Sequence, residues 1–195
     1  MKKLVLGVLA GGLVLSQAAW LSPASASAAA PAAAASAAAT EGDILAGKRQ
    51  VVIKPVEEFE SILAVDARGR LNLTDGDIDK GLFVLVPNGN KWLIKTAKAD
   101  PNGEPACMGL KNNGSNPLTV VAALCDAGRA GQNFAITKLD ATDSSGRPTY
   151  AISSRDAFLQ YFGRSGLIAE ELGDAPLKTT FSFVDNGPST LPILD

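Results

Sequence analysis

The sequence predicts an all-β domain, and three features point there. From residue 50 onward, short apolar segments alternate with turn clusters rich in Asn, Asp, Gly and Pro. Three of the segments share an aromatic, one residue, then an aliphatic or aromatic residue: Trp92-Leu93-Ile94, Phe134-Ala135-Ile136 and Phe181-Ser182-Phe183. Helical periodicity is almost missing; only Ser165 to Leu172 suggests a helix, and its Ile168-Ala169 centre fits a strand as well.

The expected strands run in order. Val51-Val52-Ile53, Ile62-Leu63-Ala64-Val65 and Leu82-Phe83-Val84-Leu85-Val86 come first. Trp92-Leu93-Ile94, Leu118-Thr119-Val120-Val121, Phe134-Ala135-Ile136 and Phe181-Ser182-Phe183-Val184 follow. Between them stand turns such as Asp66-Ala67-Arg68-Gly69, Pro87-Asn88-Gly89-Asn90, Lys111-Asn112-Asn113-Gly114 and Asp143-Ser144-Ser145-Gly146. Strands at this spacing build a sandwich or a barrel. Trp92, Phe134 and Phe181 lie 42 and 47 residues apart, which divides the region into three units. An apolar segment lies upstream of each aromatic: Ile62 to Val65, Cys107 to Leu110, and Tyr150 to Ile152. Residues two apart on a strand share a face, so Trp92, Phe134 and Phe181, with Ile94, Ile136 and Phe183, are expected at equivalent core positions.

The first 47 residues read differently. Met1-Lys2-Lys3 is cationic, Leu4 to Leu15 is apolar apart from glycine, and Ala24-Ser25-Ala26 is an A-x-A pattern. That order is the layout of a secretory signal peptide, assigned to residues 1–26. Its apolar run falls short of the roughly 20 residues that span a bilayer. Residues 27–47, mostly alanine at the start, are read as a flexible spacer, and residues 48–195 as one domain. Cleavage would leave 16 Lys+Arg against 20 Asp+Glu, since Lys2 and Lys3 depart from the 18 basic residues of the whole chain. No net positive charge calls for nucleic acid or an anionic membrane, and no second apolar stretch suggests a membrane span in the mature chain.

The middle unit carries a family pattern. Cys107-Met108-Gly109-Leu110, Cys125 at a separation of 18, and Gln132-Asn133-Phe134 together resemble one repeat of a ricin B-type β-trefoil lectin domain. Those repeats run Cys-Leu-Asp-Val, a second Cys, then Gln-x-Trp or Gln-x-Phe. The full pattern covers Cys107 to Ile136; Asn90-Lys91-Trp92 and Thr179-Thr180-Phe181 lack the Gln, so the other units match only in outline. The resemblance implies a β-trefoil of three pseudo-repeats, with another small β-barrel or a β-sandwich as the alternative. It also implies a binding module for carbohydrate or a cell-surface ligand. In the family an Asp accepts hydrogen bonds from sugar hydroxyls. Carried over, that position holds Gly109, with Ala64 in the first unit and Ala151 in the third, so ordinary galactose-type binding is not expected.

Cys107 and Cys125 allow one intramolecular pairing, and in an exported chain a structural disulfide is expected. The absence of histidine from the sequence removes Ser-His-Asp and Cys-His chemistry and His-ligated zinc. Asp75-Gly76-Asp77-Ile78-Asp79 has calcium-like spacing, but Lys80 and Val86 stand where Gly and Glu are needed. Glu57, Glu58, Glu60, Glu170 and Glu171 show no pairing in sequence, and no S-x-x-K occurs. The chain is therefore read as non-enzymatic, with no cofactor and no metal.

Tyr150, Tyr161 and Phe162 are rings beside polar turn residues, and with Arg164 they form the expected ligand-contact set. A second reading is a secreted proteinase inhibitor on the same scaffold, acting on an extracellular protease. It would use Gly163-Arg164-Ser165-Gly166 or Gly128-Arg129-Ala130-Gly131, with an Arg for a trypsin-like pocket.

Overall fold

The computed structural model describes residues 39–58, 60–76, 81–98, 104–114, 117–163 and 165–191, which lie in a compact unit spanning Ala37–Asp195. The predicted signal segment lies outside the described residues. A short helix α1 (Glu41–Leu45) precedes twelve strands. These are β1 (Arg49–Pro55), β2 (Ile62–Val65), β3 (Leu71–Thr74), β4 (Leu82–Asn88), β5 (Lys91–Thr96) and β6 (Ala106–Lys111). β7 (Leu118–Leu124), β8 (Ala135–Thr142), β9 (Pro148–Ser154), β10 (Ala157–Phe162), β11 (Gly166–Glu171) and β12 (Phe181–Pro188) complete them. The Ser165 to Leu172 segment is strand, not helix, because Leu167, Ile168 and Ala169 are all buried between paired strands.

Six strands close on themselves. β1 pairs with β4, β4 with β5, β8 with β9, β9 with β12, and β12 with β1, all antiparallel. The ring closes where Trp92 and Phe134 exchange backbone hydrogen bonds of 2.9 Å each, joining β5 to the start of β8. Closure removes the exposed strand edges that a sheet otherwise presents. The remaining strands form three hairpins, β2–β3, β6–β7 and β10–β11, one per repeat. The hairpins also meet. Arg70 bridges Val121, Thr119 pairs with Ile168, and the Leu167 N–H donates to Asn72 Oδ1. A six-stranded barrel capped by three hairpins is the β-trefoil.

The ladder identifies which residues are equivalent. Within repeats, Val51 faces Phe83, Trp92 faces Phe134 and Tyr150 faces Phe181. The threefold-related aromatics are therefore Phe83, Phe134 and Phe181, all essentially inaccessible to solvent. Trp92, expected in that set, instead lies across from Phe134 with Val51 and Tyr150 as its counterparts, and it is half-buried. Two residues further on, Ile53, Ile94 and Ile152 pair with Phe183, Leu85 and Ile136. So Ile94 belongs with the other isoleucines, and Leu85 takes the place expected for it. The misassignment has a plain cause: β4 and β5 form one hairpin, and Phe83-Val84-Leu85 carries the same pattern as Trp92-Leu93-Ile94. Both layers fall in one hydrophobic cluster, where the Tyr150 and Phe183 rings stack with centroids 4.6 Å apart.

The spacer ends earlier than residue 47. Thr40 caps α1 by accepting the Asp43 N–H, Ile44 is buried in the main core, and Trp92 Nε1 donates to the Leu45 carbonyl at 2.8 Å. Residues 40–47 thus belong to the packed domain.

Two turns share one construction. Asp66 Oδ1 accepts the N–H groups of Arg68 and Arg70, and Asp143 Oδ1 accepts those of Ser145 and Arg147. In each, the fourth residue is a glycine at left-handed φ, Gly69 at 71° and Gly146 at 76°.

Candidate functional site

The middle repeat carries a cleft of about 520 Å³. Gly109, Leu110, Lys111 and Asn112 line one side, from β6 and the turn that follows it. Val121 and Ala123 come from β7. Arg129, Gly131 and Gln132 come from a one-turn 3-10 helix (Ala130–Gln132) and its cap, and Arg155 from the β9–β10 turn.

Close approach explains Gly109. A Cβ there would stand 3.1 Å from Gln132 Cγ, tighter than packed side chains accept. The Gln132 side chain is buried and spends both ends on backbone: Oε1 accepts the Asp126 N–H and Nε2 donates to the Leu124 carbonyl, each at 2.8 Å. Next to it, Asn133 Nδ2 donates to the carbonyls of Ala127 and Arg129. Asn88 reaches over from β4 to donate to Ala127 O and Asn133 Oδ1. The Cys107–Cys125 disulfide, with Cα atoms 4.9 Å apart, fastens the start of the loop to β6. The loop carrying Arg129 is thereby fixed at several points before any ligand arrives.

The third repeat corrects the carried-over Asp position. Leu63, Met108 and Leu159 are equivalent buried residues, facing Leu73, Ala122 and Ala169. The residues after them are Ala64, Gly109 and Gln160, so Gln160 and not Ala151 matches Gly109. Ala151 sits on barrel strand β9, because the Tyr150 to Ile152 segment is a barrel strand and not a hairpin strand. Gln160 is fully buried, and its Oε1 accepts the N–H groups of Lys178 and Thr179.

The cleft's charge is one-sided. Lys111, Arg129 and Arg155 are exposed, and none of them forms an ion pair among the described residues. Among the described residues, no carboxylate and no aromatic ring belongs to the lining.

The sequence-expected contacts lie elsewhere. Tyr150 is a core ring, not a surface one, because β9 turns it toward Phe183. Burial, and then the Glu41 carboxylate beside it, push its hydroxyl far above the usual tyrosine range. Tyr161 and Phe162 are both half-buried on β10, and Lys178 Nζ lies 5.6 Å from the centroid of the Phe162 ring. Arg164 falls outside the described residues, as do Asp77 and Asp79 of the calcium-like stretch. Sequence reasoning missed Lys111 and Arg155 as site residues. The available signal was the Arg155-Asp156 dipeptide at a two-residue hairpin, a place that favours Asn-Gly.

Among the described residues no helix is long and apolar enough to cross a membrane, and no group of three metal-ligating side chains forms. No family model and no curated protein sequence matches the chain. Solved structures do match in fold. The lysenin pore aligns at 15% identity and TM-score 0.55, over 74% of this chain and 48% of that one. A Polyporus squamosus lectin, bound to Neu5Aca2-6Galb1-4GlcNAc, aligns at 15% identity and TM-score 0.54, over 70% and 49%. The BEL β-trefoil aligns at 16% identity and TM-score 0.52, over 71% and 93%. The chain thus spans about half the length of the first two and nearly all of the third. Barrel closure, the three hairpins and these likenesses agree: the chain has the β-trefoil fold.

Proposed function

We propose that the chain is a secreted, non-enzymatic binding module whose carbohydrate or cell-surface ligand enters the cleft of the middle repeat. The observation that carries this reading is the cleft itself, lined by Gly109 and Gln132 and bordered by fixed polar groups on a rigid loop. The fold supports it, since a lectin and a β-trefoil are among the chains it resembles. The signal-like residues 1–26 and the Cys107–Cys125 disulfide support export.

Galactose-type binding through an acidic acceptor is not part of this reading. Gly109 and Ala64 have no acceptor in their side chains, and Gln160 is enclosed. The inhibitor reading has less behind it. Arg129 borders a concave surface, whereas a protease cleft takes a projecting loop.

The test is a glycan array followed by calorimetry on the mature chain, beside an Ala123→Trp variant, which puts a large ring at a position lining the cleft. Binding to a defined glycan that disappears in the filled variant is expected. Binding to no glycan, or binding that survives the filling, would refute the assignment.

A further inference from the structure

Resting on the carbohydrate reading of this cleft, we infer that its ligand is an acidic saccharide, whose sulfate, phosphate or carboxylate group is received by Arg155, Arg129 and Lys111. Two independent observations lead there.

The first is charge placement. The whole chain is net negative, at −2, yet the cleft gathers three cations and, among the described residues, no acid. They come from the β6–β7 turn, the 3-10 turn and the β9–β10 turn, so only the tertiary fold unites them. Elsewhere on the surface four cations are held in ion pairs, while Arg68, Arg70, Lys91, Lys95 and Lys178 form none among the described residues. Lys48 pairs with Asp43, Arg49 with Asp185, Lys138 with Glu41 and Arg147 with Asp143. Like charges left together without counter-ions repel one another, and an anion relieves that repulsion.

The second is backbone strain at Arg155. Ser154 pairs with Ala157, so Arg155 and Asp156 are the two central residues of a tight hairpin. Their φ values are 53° and 63°, the left-handed region that such a turn demands at both positions. Asn and Gly adopt it readily, and a long branched-headgroup residue such as Arg does not. The positions at 69, 89, 114 and 146, which also have positive φ, are all glycine. An arginine kept at a left-handed position of the turn, beside the cleft, is the mark of a residue held for its guanidinium. That group offers planar paired donors to the oxygens of a carboxylate, sulfate or phosphate.

The experiment compares Arg155→Asn with the wild-type mature chain in two measurements, thermal unfolding and calorimetry. The probes are 6-sulfated N-acetyllactosamine, its sialylated form, the neutral disaccharide, and inorganic sulfate alone. We expect the acidic saccharides to bind at least about tenfold more tightly than the neutral one, with affinity falling as salt rises. We expect Arg155→Asn to raise Tm by about 2–4 °C while lowering acidic-saccharide affinity about tenfold. Equal binding of neutral and acidic forms would overturn the anion inference and leave the carbohydrate reading intact. Sulfate binding that depends on Arg155, with no saccharide bound, would overturn the carbohydrate reading and uphold the anion site. Unchanged acidic-saccharide affinity in Arg155→Asn would overturn the role given to that residue.

Discussion

The middle and third repeats solve one packing problem from opposite sides. In the middle repeat the amide comes from Gln132, ahead of the barrel aromatic Phe134, and the facing hairpin position is Gly109. In the third repeat the amide comes from the hairpin, as Gln160, and the position ahead of Phe181 holds the smaller Thr179. Both amides clamp loop backbone, and Thr179 Oγ1 adds a bond by accepting the Tyr161 N–H at 2.9 Å. The exchange is not neutral. Gln132 satisfies both ends of its amide, whereas Gln160 Nε2 finds no acceptor among the described residues. The difference teaches that pseudo-symmetry preserves the clamp while the strand that supplies it is free to change. Where the hairpin supplies glycine, Gln132 takes the space beside it; where it supplies glutamine, the facing position is the smaller Thr179.

The comparison breaks first if the barrel aromatics are not equivalent. Phe83→Ala, Phe134→Ala and Phe181→Ala should each destabilise by about 3–5 kcal/mol in urea unfolding, and Trp92→Ala by less because its ring is half-exposed. A Trp92→Ala loss exceeding that of Phe83→Ala would reverse the register assignment.

The disulfide has no counterpart in the other two repeats among the described residues. Replacing Cys107 and Cys125 together by Ala should lower stability by about 3 kcal/mol, the loop-closure value for about 20 residues. Intact mass of the unreduced protein after alkylation checks the bond itself: no thiol should react.

The glycine–glutamine exchange comes next in size. Gly109→Gln alone should destabilise by about 1–3 kcal/mol, because its Cβ meets Gln132. Adding Gln132→Thr should recover most of that loss, and a double-mutant cycle measures the coupling. Purely additive effects would show that the two positions do not share one space.

The smallest effect concerns the paired aspartate turns. Backbone N–H donors, that of Arg70 first, hold the Asp66 carboxyl below its ordinary range against slight burial. At Asp143 burial opposes the shift, and the N–H groups of Arg147 and Ser145 outweigh it. A folded-state pKa lowered below the unfolded value of about 3.9 stabilises above that pH and is lost as pH falls through the folded value. Tm should therefore drop on acidification below about pH 4, and by less in Asp66→Asn/Asp143→Asn. An identical acid profile in that variant would remove these turns from the account.

Much of the fold was legible because strand signals are local. Apolar runs of period two and Asn-Gly or Asp-Gly turns need no partner to be recognised, and the two cysteines left one intramolecular pairing. Register was not legible. Phe83 and Trp92 carry the same short pattern nine residues apart, and only the ladder shows which one faces Phe134. The same ambiguity put Ala151 where Gln160 belongs. Tyr150 looked like a surface ring because a tyrosine beside turn residues is commonly amphipathic, and its strand happens to turn it inward.

By itself, the sequence determined an all-β chain, three approximate repeats, a disulfide in the middle one and the want of histidine chemistry. These rest on composition and on contacts between near neighbours. Tertiary structure alone decided that Lys111, Arg129 and Arg155 share one cleft. They stand in three different turns, and such turns meet only after the barrel has closed and the hairpins have folded over its end. Charge convergence of that kind depends on positions in space, which no local pattern along the chain encodes.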